Sequence, residues 1–482
     1  MPACIQDESN SHKMYEFKPG AEPNNAPPGL EDIWSCTHKL LGHLHFLRSN
    51  ERSLQAQQYG MIRDGCLLLP SVFPGRVHDL CSRSWFHESY FYYLFEASEH
   101  ESYFWISGVF ARGYSLDTIW FPGRRLAVTI NPLGVDCARL ARFDEMLTRT
   151  PAKPIRSRPW TNASRTAVVS SPHLMHMLWN ELPALERLTD VMLPDKFNVA
   201  VLFEPFGPMK ELFPEFADRI KALRHKDILH ENAQNGLVLG LGAWTVTNTT
   251  QRRLHKIAAR HTQQEKVKQR DLFKKQHYPI FWLSVKPPKR TLSNQSLVLA
   301  SVINALQARY PQAGFILDGA CHPFDFPANE NYAPWFHNVL KVAFDNSKEI
   351  ITAIIKQLRP ATRKNVIFLN GVSACEEITW GAAATFYICH GGTMQNKIGW
   401  IHRIPGFVHS NRNFLESFRR MPVPVEDGPA CYFPSEDLIV DDNISNYSVE
   451  ELARKDQNYK ISSVTKFSDQ IMAAVAASIK DI

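Results

Sequence analysis

The segment best suited to bind a ligand begins where the apolar run Phe386–Cys389 is followed by His-Gly-Gly and then by a helical pattern. A strand that leads through glycines into a helix leaves backbone N–H groups facing an open crevice, where a phosphate group can bind. Glycine lets the ligand approach the backbone closely. Lys397 adds a positive charge to the same region. A purely structural turn is the alternative. The predicted anion-binding residues are His390, Gly391, Gly392, Thr393 and Asn396.

A basic loop follows another predicted strand, Ile280–Val285. Ligands bind at the carboxyl ends of parallel strands, so Lys286, Lys289 and Arg290 are placed to neutralise a diphosphate. An exposed basic loop without a ligand is the alternative interpretation. No Asp-x-Asp sequence, GxxxxGK[ST] loop, GxSxG elbow or GxGxxG fingerprint occurs in the chain. We therefore expect no bound metal and no cofactor.

A third candidate segment, His173–Pro183, follows the short apolar strand Ala167–Val169. In a helix, His176 and Asn180 share one face. A histidine has the pKa to remove a proton from a hydroxyl group near neutral pH, and a carboxylate such as Glu181 can orient it or act as the base itself. We therefore predict His176 and Glu181 as catalytic residues. Helix capping or packing in a polar core is the alternative role.

Composition is typical of a globular protein with more than one core. The chain has 482 residues, 44% hydrophobic and 21% charged, and 54 Lys and Arg against 48 Asp and Glu. So small a basic surplus allows anionic substrates without indicating a nucleic-acid-binding protein. Nine scattered cysteines without a CxxC pair favour a reducing compartment. No stretch of the sequence approaches the roughly 18 consecutive apolar residues that a membrane-spanning helix needs. We expect a cytoplasmic protein whose membrane contact, if any, is peripheral.

Strand and helix patterns predict three folded parts, with an α/β class overall. Aromatic and β-branched residues between turns indicate a β-rich N-terminal unit, and later apolar runs alternate with helical stretches as in parallel βα units. The predicted ranges are 1–30, a poorly ordered lead-in; 31–150, the β-rich unit; 151–250, a first Rossmann-like lobe; 251–277, a basic linker; 278–425, a second Rossmann-like lobe; and 426–482, a segment crossing back. The linker is either a solvated helix or a surface for polyanions or lipids.

At these motifs the chain resembles glycosyltransferases of the GT-B fold, and among them the family 61 and the capsule and lipopolysaccharide biosynthesis enzymes. That group has a His-x-x-x-Asp-x-Leu-Pro segment, similar to His176–Pro183, and a His-Gly-Ala-Gly-x-x-Asn segment, similar to His390–Asn396. An acidic residue precedes the second motif, here Glu376 or Glu377. The chain departs from the first motif by having Asn180 at the Asp position.

The resemblance implies two Rossmann-like lobes in the GT-B arrangement and a metal-independent sugar transfer. A nucleotide sugar would bind the second lobe, with Lys286, Lys289, Arg290, Glu377 and the His390–Asn396 turn as donor-binding residues. A saccharide or glycolipid acceptor would enter from the first lobe, where His176 would be the base of an inverting reaction. Two alternatives remain: another enzyme using nucleotide sugars or phosphoenolpyruvate, and a non-enzymatic protein that binds saccharides or polyanions.

Overall fold

The chain folds into two compact units, which we call the N-terminal and C-terminal units. The N-terminal unit comprises Met1–Phe203 and Phe213–Thr245, and the C-terminal unit comprises Glu204–Leu212 and Val246–Ile482. The β-rich part and the first α/β sheet therefore share one unit. The computed structural model describes residues 4–5, 13–16, 26–96, 101–108, 115–129, 135–149, 164–225, 227–228, 236–286, 289–420, 428–448, 451–452 and 455–479.

The N-terminal unit begins with an eight-stranded sheet of order β1-β2-β8-β7-β6-β5-β4-β3. Neighbouring strands from β3 to β8 pair antiparallel, whereas β2 pairs with β8 in parallel. The strands are β1 (Cys4–Ile5), β2 (Lys13–Glu16), β3 (Leu67–Pro70), β4 (His78–His87), β5 (Tyr90–Glu96), β6 (Ser102–Gly108), β7 (Ser115–Phe121) and β8 (Leu126–Thr129). The helices are α1 (Trp34–Ser49), α2 (Glu51–Asp64) and α3 (Cys137–Arg149), with a 3-10 turn at Pro122–Arg124.

Aromatic residues form the core under this sheet. Trp85, Tyr92, Phe104 and Trp120 pack around Phe143 of α3, and the Tyr92 and Phe143 rings stack with centroids 3.6 Å apart. Aromatic residues favour strands because they pack well on a pleated surface. Strand β2 lies within the range predicted to be a poorly ordered lead-in. That prediction is wrong at β2, because its pairing with β8 buries two apolar side chains, Met14 and Tyr15.

The second sheet of the N-terminal unit is a four-stranded parallel sheet of order β11-β10-β9-β12. Its strands are β9 (Ser164–Val169), β10 (Phe197–Val201), β11 (Ile220–Ala222) and β12 (Gly236–Gly240). A continuous helical segment follows β9, made of α4 (Leu174–His176), a π-helical turn (Met177–Glu181) and α5 (Leu182–Leu188), and a 3-10 turn lies at Pro214–Phe216. Strand order reverses between β9 and β12, and such a switch point opens a crevice at the carboxyl ends of the strands.

The antiparallel sheet covers the β12 edge of the parallel sheet. The Ser84 hydroxyl accepts a hydrogen bond from the Val238 N–H at 2.7 Å and donates to the Val238 carbonyl. The Tyr93 hydroxyl accepts from the Gly240 N–H at 3.2 Å, and a Cβ at Gly240 would lie only 2.7 Å from the Phe91 ring. An uncovered edge strand exposes unpaired backbone groups, so the β-rich part protects this edge.

The C-terminal unit is built on a six-stranded parallel sheet of order β16-β14-β13-β18-β19-β20. The strands are β13 (Ile280–Ser284), β14 (Gly314–Asp318), β15 (Cys321–His322), β16 (Val366–Leu369), β17 (Val372–Ser373), β18 (Phe386–His390), β19 (Gly406–His409), β20 (Cys431–Tyr432), β21 (Ile439–Asp441) and β22 (Tyr459–Ile461). Strands β15 and β17 form one two-stranded sheet, and β21 and β22 another.

Helices lie between the strands of this unit. They are α6 (Met209–Leu212), α7 (Asn248–His261), α8 (Gln264–Gln276), α9 (Gln295–Arg309), α10 (Pro334–Gln357), α11 (Pro360–Arg363), α12 (Ala374–Gly381), α13 (Thr393–Gln395), a π-helical turn (Asn396–Trp400), α14 (Arg412–Arg420) and α15 (Val464–Ser478), with 3-10 turns at Glu436–Leu438 and Ile444–Asn446. The central strands β13, β14 and β18 are buried along their whole length, as expected for a sheet with helices on both faces.

The predicted fold class, α/β with two Rossmann-like sheets behind a β-rich N-terminal part, is confirmed by this topology. The predicted basic linker consists of α7, whose Leu254, Ile257 and Ala258 are buried, and the mostly exposed α8. Helix α15 packs on the C-terminal unit through Phe467 and Ile471. No helix among the described residues has the length and apolar content needed to cross a membrane.

Candidate functional site

The switch point of the C-terminal sheet lies between β13 and β18, where the strand order reverses. The basic loop follows β13, and the glycine turn follows β18, so the topology places the two predicted segments side by side. Gly392 has φ +104°, which side-chain-bearing residues rarely adopt. A Cβ at this position would lie 4.0 Å from Nη1 of Arg290. Arg290 and the His390 turn therefore meet at one place.

Arg290 is held in a fixed orientation at this switch point. Its guanidinium lies over the Phe414 ring, 4.6 Å from the centroid, and its backbone N–H donates to the Asp456 carbonyl at 3.0 Å. The Arg290 Nε is 3.6 Å from Oδ1 of Asp456, and this buried nitrogen makes no hydrogen bond to any described residue. A buried donor without a partner is costly, so an anion at this position would be favoured.

Lys286 lies beside Arg290 at the end of β13. Gln295, the first residue of α9, anchors the Lys286 backbone by accepting from its N–H at 3.3 Å and donating to its carbonyl at 3.1 Å. Desolvation, reinforced by the neighbouring Arg290 charge, lowers the pKa of Lys286 to about 7. Lys289 is 61% exposed, with its Nζ 3.8 Å from Asp456. Asp456 faces all three cations, and a second carboxylate, Glu451, interacts with Lys289 on the exposed side.

His390 is buried at the end of β18 and carries no charge. Its Nδ1 lies 2.7 Å from the Gly391 carbonyl, which can only accept, so Nδ1 carries the hydrogen and Nε2 has the lone pair. Burial, and then the nearby Lys286 charge, keep the pKa of His390 well below its usual value. The ring packs against His409 and Tyr459, whose hydroxyl is 2.6 Å from Nδ1 of His409.

Two other residues of the glycine turn have different surroundings. Thr393 is exposed at the start of the helix, whereas Asn396 is buried. The Asn396 N–H donates to the Gly392 carbonyl at 3.0 Å, and its Oδ1 has no hydrogen-bond partner among the described residues. Asn396 therefore retains an acceptor for a hydrogen-bond donor on a ligand.

Glu377 and Lys397 lie in a buried ion cluster with Asp318. Nζ of Lys397 bonds to Oδ1 of Asp318 at 3.0 Å and to Oε1 of Glu377, and it approaches the Gly319 carbonyl at 3.4 Å. Burial raises the pKa of Asp318 well above its usual value, against the opposing effect of Lys397. The expectation that Lys397 adds charge to the phosphate turn is wrong, because these acids neutralise it. Donor binding by Glu377 would require breaking this cluster.

In the N-terminal unit, His176 and Asn180 lie at the switch point between β9 and β12. Nδ1 of His176 is 3.2 Å from Oδ1 of Asn180, one helical turn away. Nδ2 of Asn180 donates to the carbonyl of Ala243, beyond the end of β12, at 2.7 Å. Burial lowers the pKa of His176. The π-helical turn at Met177–Glu181 is a feature often found at functional sites.

Glu181 points to a different set of groups from the one predicted. Its buried carboxylate accepts from the N–H groups of Ser170, at 3.0 Å, and Ser171, at 3.2 Å, directly after β9. Burial raises the pKa of Glu181 to about 7. Among the described contacts the residue that orients His176 is thus Asn180, and the expectation of an orienting Glu181 is not met. A role for Glu181 as base stays a prediction.

Sequence reasoning missed the residues that complete the cationic group. Asp456, Tyr459 and Phe414 come from segments distant in sequence and belong to no motif. His409 had a usable signal, because it ends β19 as His390 ends the neighbouring β18. Across the described ranges, no group of three or more His, Cys, Asp or Glu side chains is placed to hold a metal ion.

No protein-family model matches the chain, and no curated protein matches it. Several solved structures are similar to it. The family 9 glycosyltransferase from Veillonella parvula is 10% identical over 66% of this chain and 98% of its own, with a TM-score of 0.35. The ADP-heptose lipopolysaccharide heptosyltransferase II of E. coli is 8% identical over 65% and 99%, with a TM-score of 0.31.

The UDP-GlcNAc 2-epimerase from Methanocaldococcus jannaschii is 14% identical over 70% of this chain and 80% of its own, with a TM-score of 0.25. The chain is thus similar to glycosyltransferases and to a nucleotide-sugar epimerase, at TM-scores too low to support an argument. The fold rests on strand order and pairing, and the resemblance to family 61 stays a prediction.

Proposed function

We propose that this protein is a glycosyltransferase that transfers a sugar from a nucleotide-activated donor to a hydroxyl group of a saccharide or glycolipid acceptor. The observation that carries the proposal is the group of cations at the switch point of the C-terminal sheet. Lys286 and Arg290 lie there beside a glycine turn, and Asp456 is the carboxylate facing them in the described part of the unit.

The chemistry of a diphosphate leaving group explains this arrangement. When the bond between sugar and diphosphate breaks, negative charge accumulates on the diphosphate, and fixed donors in a desolvated position stabilise that charge. Arg290 offers a planar set of N–H groups whose orientation is fixed by Phe414. Lys286 supplies a point charge, and desolvation together with the Arg290 charge lowers its pKa to about 7 despite the opposing effect of Asp456, so a bound anion would favour its protonated form. Transfer without a metal ion needs such immobile charge.

Donor contacts follow from the same geometry. The diphosphate would bind Lys286 and Arg290, with Lys289 at the exposed side and the backbone N–H groups of Gly392 and Thr393 below, since the Gly391 N–H donates to the His409 carbonyl. His390 would contact the donor as a neutral group, and Asn396 would accept a hydrogen bond from it. We assign Glu377 to supporting the turn through Lys397, since its carboxylate is already paired.

His176 would remove the proton from the acceptor hydroxyl in this scheme. Its lowered pKa keeps the imidazole neutral near pH 7, as a base must be. This assignment, the GT-B arrangement of the two sheets, the inverting outcome and membership of family 61 all belong to the proposal.

Calorimetric binding to the purified full chain tests the donor site. The probes are UDP-N-acetylglucosamine, UDP-xylose, ADP, GDP and CDP, with heparin as a non-specific polyanion. We expect one nucleotide class to bind, and R290A to weaken that binding on the order of 30- to 100-fold, as loss of a charged hydrogen bond does. K348A, which removes an exposed lysine on α10 of the same unit, is the matched control.

Turnover distinguishes the alternatives. A glycosyltransferase should slowly release nucleoside diphosphate from one nucleotide sugar, and H176A should stop acceptor-dependent release while leaving nucleotide binding intact. Binding of heparin alone, with steep salt dependence and no effect of R290A, would contradict the proposal and favour a polyanion-binding protein.

A further inference from the structure

Asn180 is the polar side chain that links the helix after β9 to the loop after β12. Both ends of its amide group have partners: Nδ2 is 2.7 Å from the Ala243 carbonyl, and Oδ1 is 3.2 Å from Nδ1 of His176. The Ala243 N–H also donates to the Asn180 carbonyl at 3.0 Å, so two hydrogen bonds join the same pair of residues.

The carbonyl partner decides which way the amide faces. A backbone carbonyl can only accept, so the NH2 end of the Asn180 side chain must point to Ala243 and its oxygen to His176. A side-chain amide oxygen also only accepts. The Nδ1 atom of His176 must therefore carry a hydrogen, and in a neutral ring the lone pair is then on Nε2.

We propose that Asn180 is a positioning residue that holds His176 as the Nδ1–H tautomer, so that Nε2 is the nitrogen that takes the proton from the acceptor hydroxyl. This inference rests on the proposed function for the base role of His176. The tautomer itself depends only on contacts within the N-terminal unit.

With this assignment, every proton and electron pair in the proposed sugar transfer is accounted for. The acceptor hydroxyl proton moves to Nε2 while the acceptor oxygen forms a bond to the anomeric carbon. The bond from that carbon to the diphosphate oxygen breaks, and its electron pair leaves with the nucleoside diphosphate. The Nδ1–H stays hydrogen-bonded to Asn180 throughout, and the imidazolium later loses its Nε2 proton to solvent.

An amide at position 180 has a different effect from the aspartate of the motif that this segment resembles. An aspartate beside Nδ1 would favour the imidazolium and raise the pKa of the histidine. It could not donate to the Ala243 carbonyl when ionised. Asparagine orients the ring without adding charge, and although its hydrogen bond raises the pKa of His176, desolvation lowers it more and keeps the ring neutral near pH 7.

Two residues of α2 support the loop that carries Ala243. Glu51 accepts from the Trp244 N–H at 3.1 Å and from the Thr245 hydroxyl at 2.8 Å. Gln58 accepts from the Gly242 N–H at 3.3 Å. Helix α2 therefore supports the loop whose carbonyl sets the orientation of the Asn180 amide, which gives this helix a role in the site.

Nitrogen-15 NMR of histidine-labelled full-length protein tests the tautomer directly. The His176 signals are assigned by their loss in H176Q. We expect the wild type to show a protonated Nδ1 and an unprotonated Nε2 at pH 7.5. In N180A the population should shift towards the Nε2–H tautomer, which predominates in free histidine. Thr189→Ala, a substitution on the same helical segment away from His176, should leave the spectrum unchanged.

Activity gives a second readout. We expect N180A to lower kcat by up to about 100-fold with little change in donor affinity, since it affects only the base. N180D should shift the acidic limb of the kcat profile upward by about one pH unit, because a carboxylate favours the imidazolium. A merely structural role would change neither the tautomer nor this limb.

Different results would contradict the positioning role of Asn180 and the base role of His176. A wild-type His176 in the Nε2–H form, or an unchanged tautomer in folded N180A, would overturn the positioning role of Asn180. If the tautomer is as expected but H176A still transfers sugar at the wild-type rate, the base assignment under the proposed function fails instead.

Discussion

The two parallel sheets share the order of their first four strands but build their switch points from different kinds of side chain. In each, a strand is followed by a short α-helical turn and then by a π-helical turn. A histidine lies close to these turns, His176 in the helix after β9 and His390 at the end of β18, and the Nδ1 of each is within hydrogen-bond distance of an oxygen. At β9 the partners of the histidine are neutral groups, Asn180 and through it Ala243. At β18 the neighbours are cations, Lys286 and Arg290.

Their difference fits the two chemical tasks of the proposed function. A base must be neutral before it accepts a proton, so an environment of amides and desolvation suits it. A departing diphosphate needs positive charge that is already fixed in place. Under the proposed function, one βα architecture would support both tasks, because function depends on the few side chains at the sheet edge.

The largest effect we expect is from removing the buried charge beneath the cationic switch point. K397M leaves the Glu377 and Asp318 carboxylates without their cation, which should destabilise the C-terminal unit by about 3–5 kcal/mol. Hydrogen exchange of the β13 and β14 amides measures the free energy of opening.

Lys274, exposed on α8, gives the matched control K274M. The double variant K397M/E377Q should recover part of the loss, since it removes one uncompensated carboxylate. Equal opening free energies for K397M and K274M would show that Lys397 does not stabilise the unit by compensating the buried carboxylates.

Next in size is a pH effect confined to the neutral switch point. Glu181 has a pKa of about 7 in the folded chain against a reference value of 4.5. The raised pKa means that its stabilising contribution is fully present below pH 4.5 and lost as the pH rises to 7, by about 3 kcal/mol in total. The difference in hydrogen exchange of β9 and β10 between the wild type and E181Q across this range should show the loss, because the lowered pKa of His176 changes stability in the opposite direction.

E181Q keeps an acceptor for the Ser170 and Ser171 N–H groups and cannot ionise. We expect its exchange rates, corrected for intrinsic chemistry, to lack the loss of protection towards pH 7 and to keep only the gain of stability with rising pH that His176 contributes. A slope in E181Q as steep as in the wild type would assign the effect to another group.

A smaller pH effect should appear in ligand binding at the cationic switch point. Lys286 has a pKa of about 7, and a bound anion favours its protonated form. Affinity for a nucleotide sugar should therefore fall as the pH rises above 7, by up to about tenfold per unit. Calorimetry in buffers of different ionisation enthalpy should detect proton uptake on binding.

Arginine at this position stays charged throughout the range. K286R should therefore bind with little dependence on pH between 7 and 9. If wild-type affinity is also constant there, Lys286 does not face the ligand.

The smallest effect concerns support of the neutral switch point by α2. E51Q keeps the contacts to Trp244 and Thr245 but removes the charge that pairs with Arg187 at 2.6 Å. We expect a loss below about 1 kcal/mol in the opening free energy of β12, with a His176 tautomer like that of the wild type. E51A, which removes both loop contacts, should reduce the Nδ1–H population. An unchanged tautomer in E51A would show that the Asn180 amide needs no support from α2.

Much of the parallel topology was predictable because buried strands have a strong local signal. The predicted strands Ile280–Val285 and Ala167–Val169 lie where the structure has β13 and the end of β9. The first helices were not predicted, and β2 was mistaken for a lead-in, because its pairing with β8 is a long-range contact that no local pattern encodes. The motif residues Arg290 and His390 were found from strand ends alone.

By itself, the sequence determined which strands end in basic, glycine or histidine residues, since burial patterns and turn residues are local properties. Only the tertiary structure decided which of those side chains are charged and what they face. It paired Lys397 with Asp318, turned Glu181 towards the Ser170 N–H, and placed Asn180 between His176 and Ala243. The physical reason is that desolvation and hydrogen-bond partners, which set pKa and tautomer, come from segments far apart in the chain.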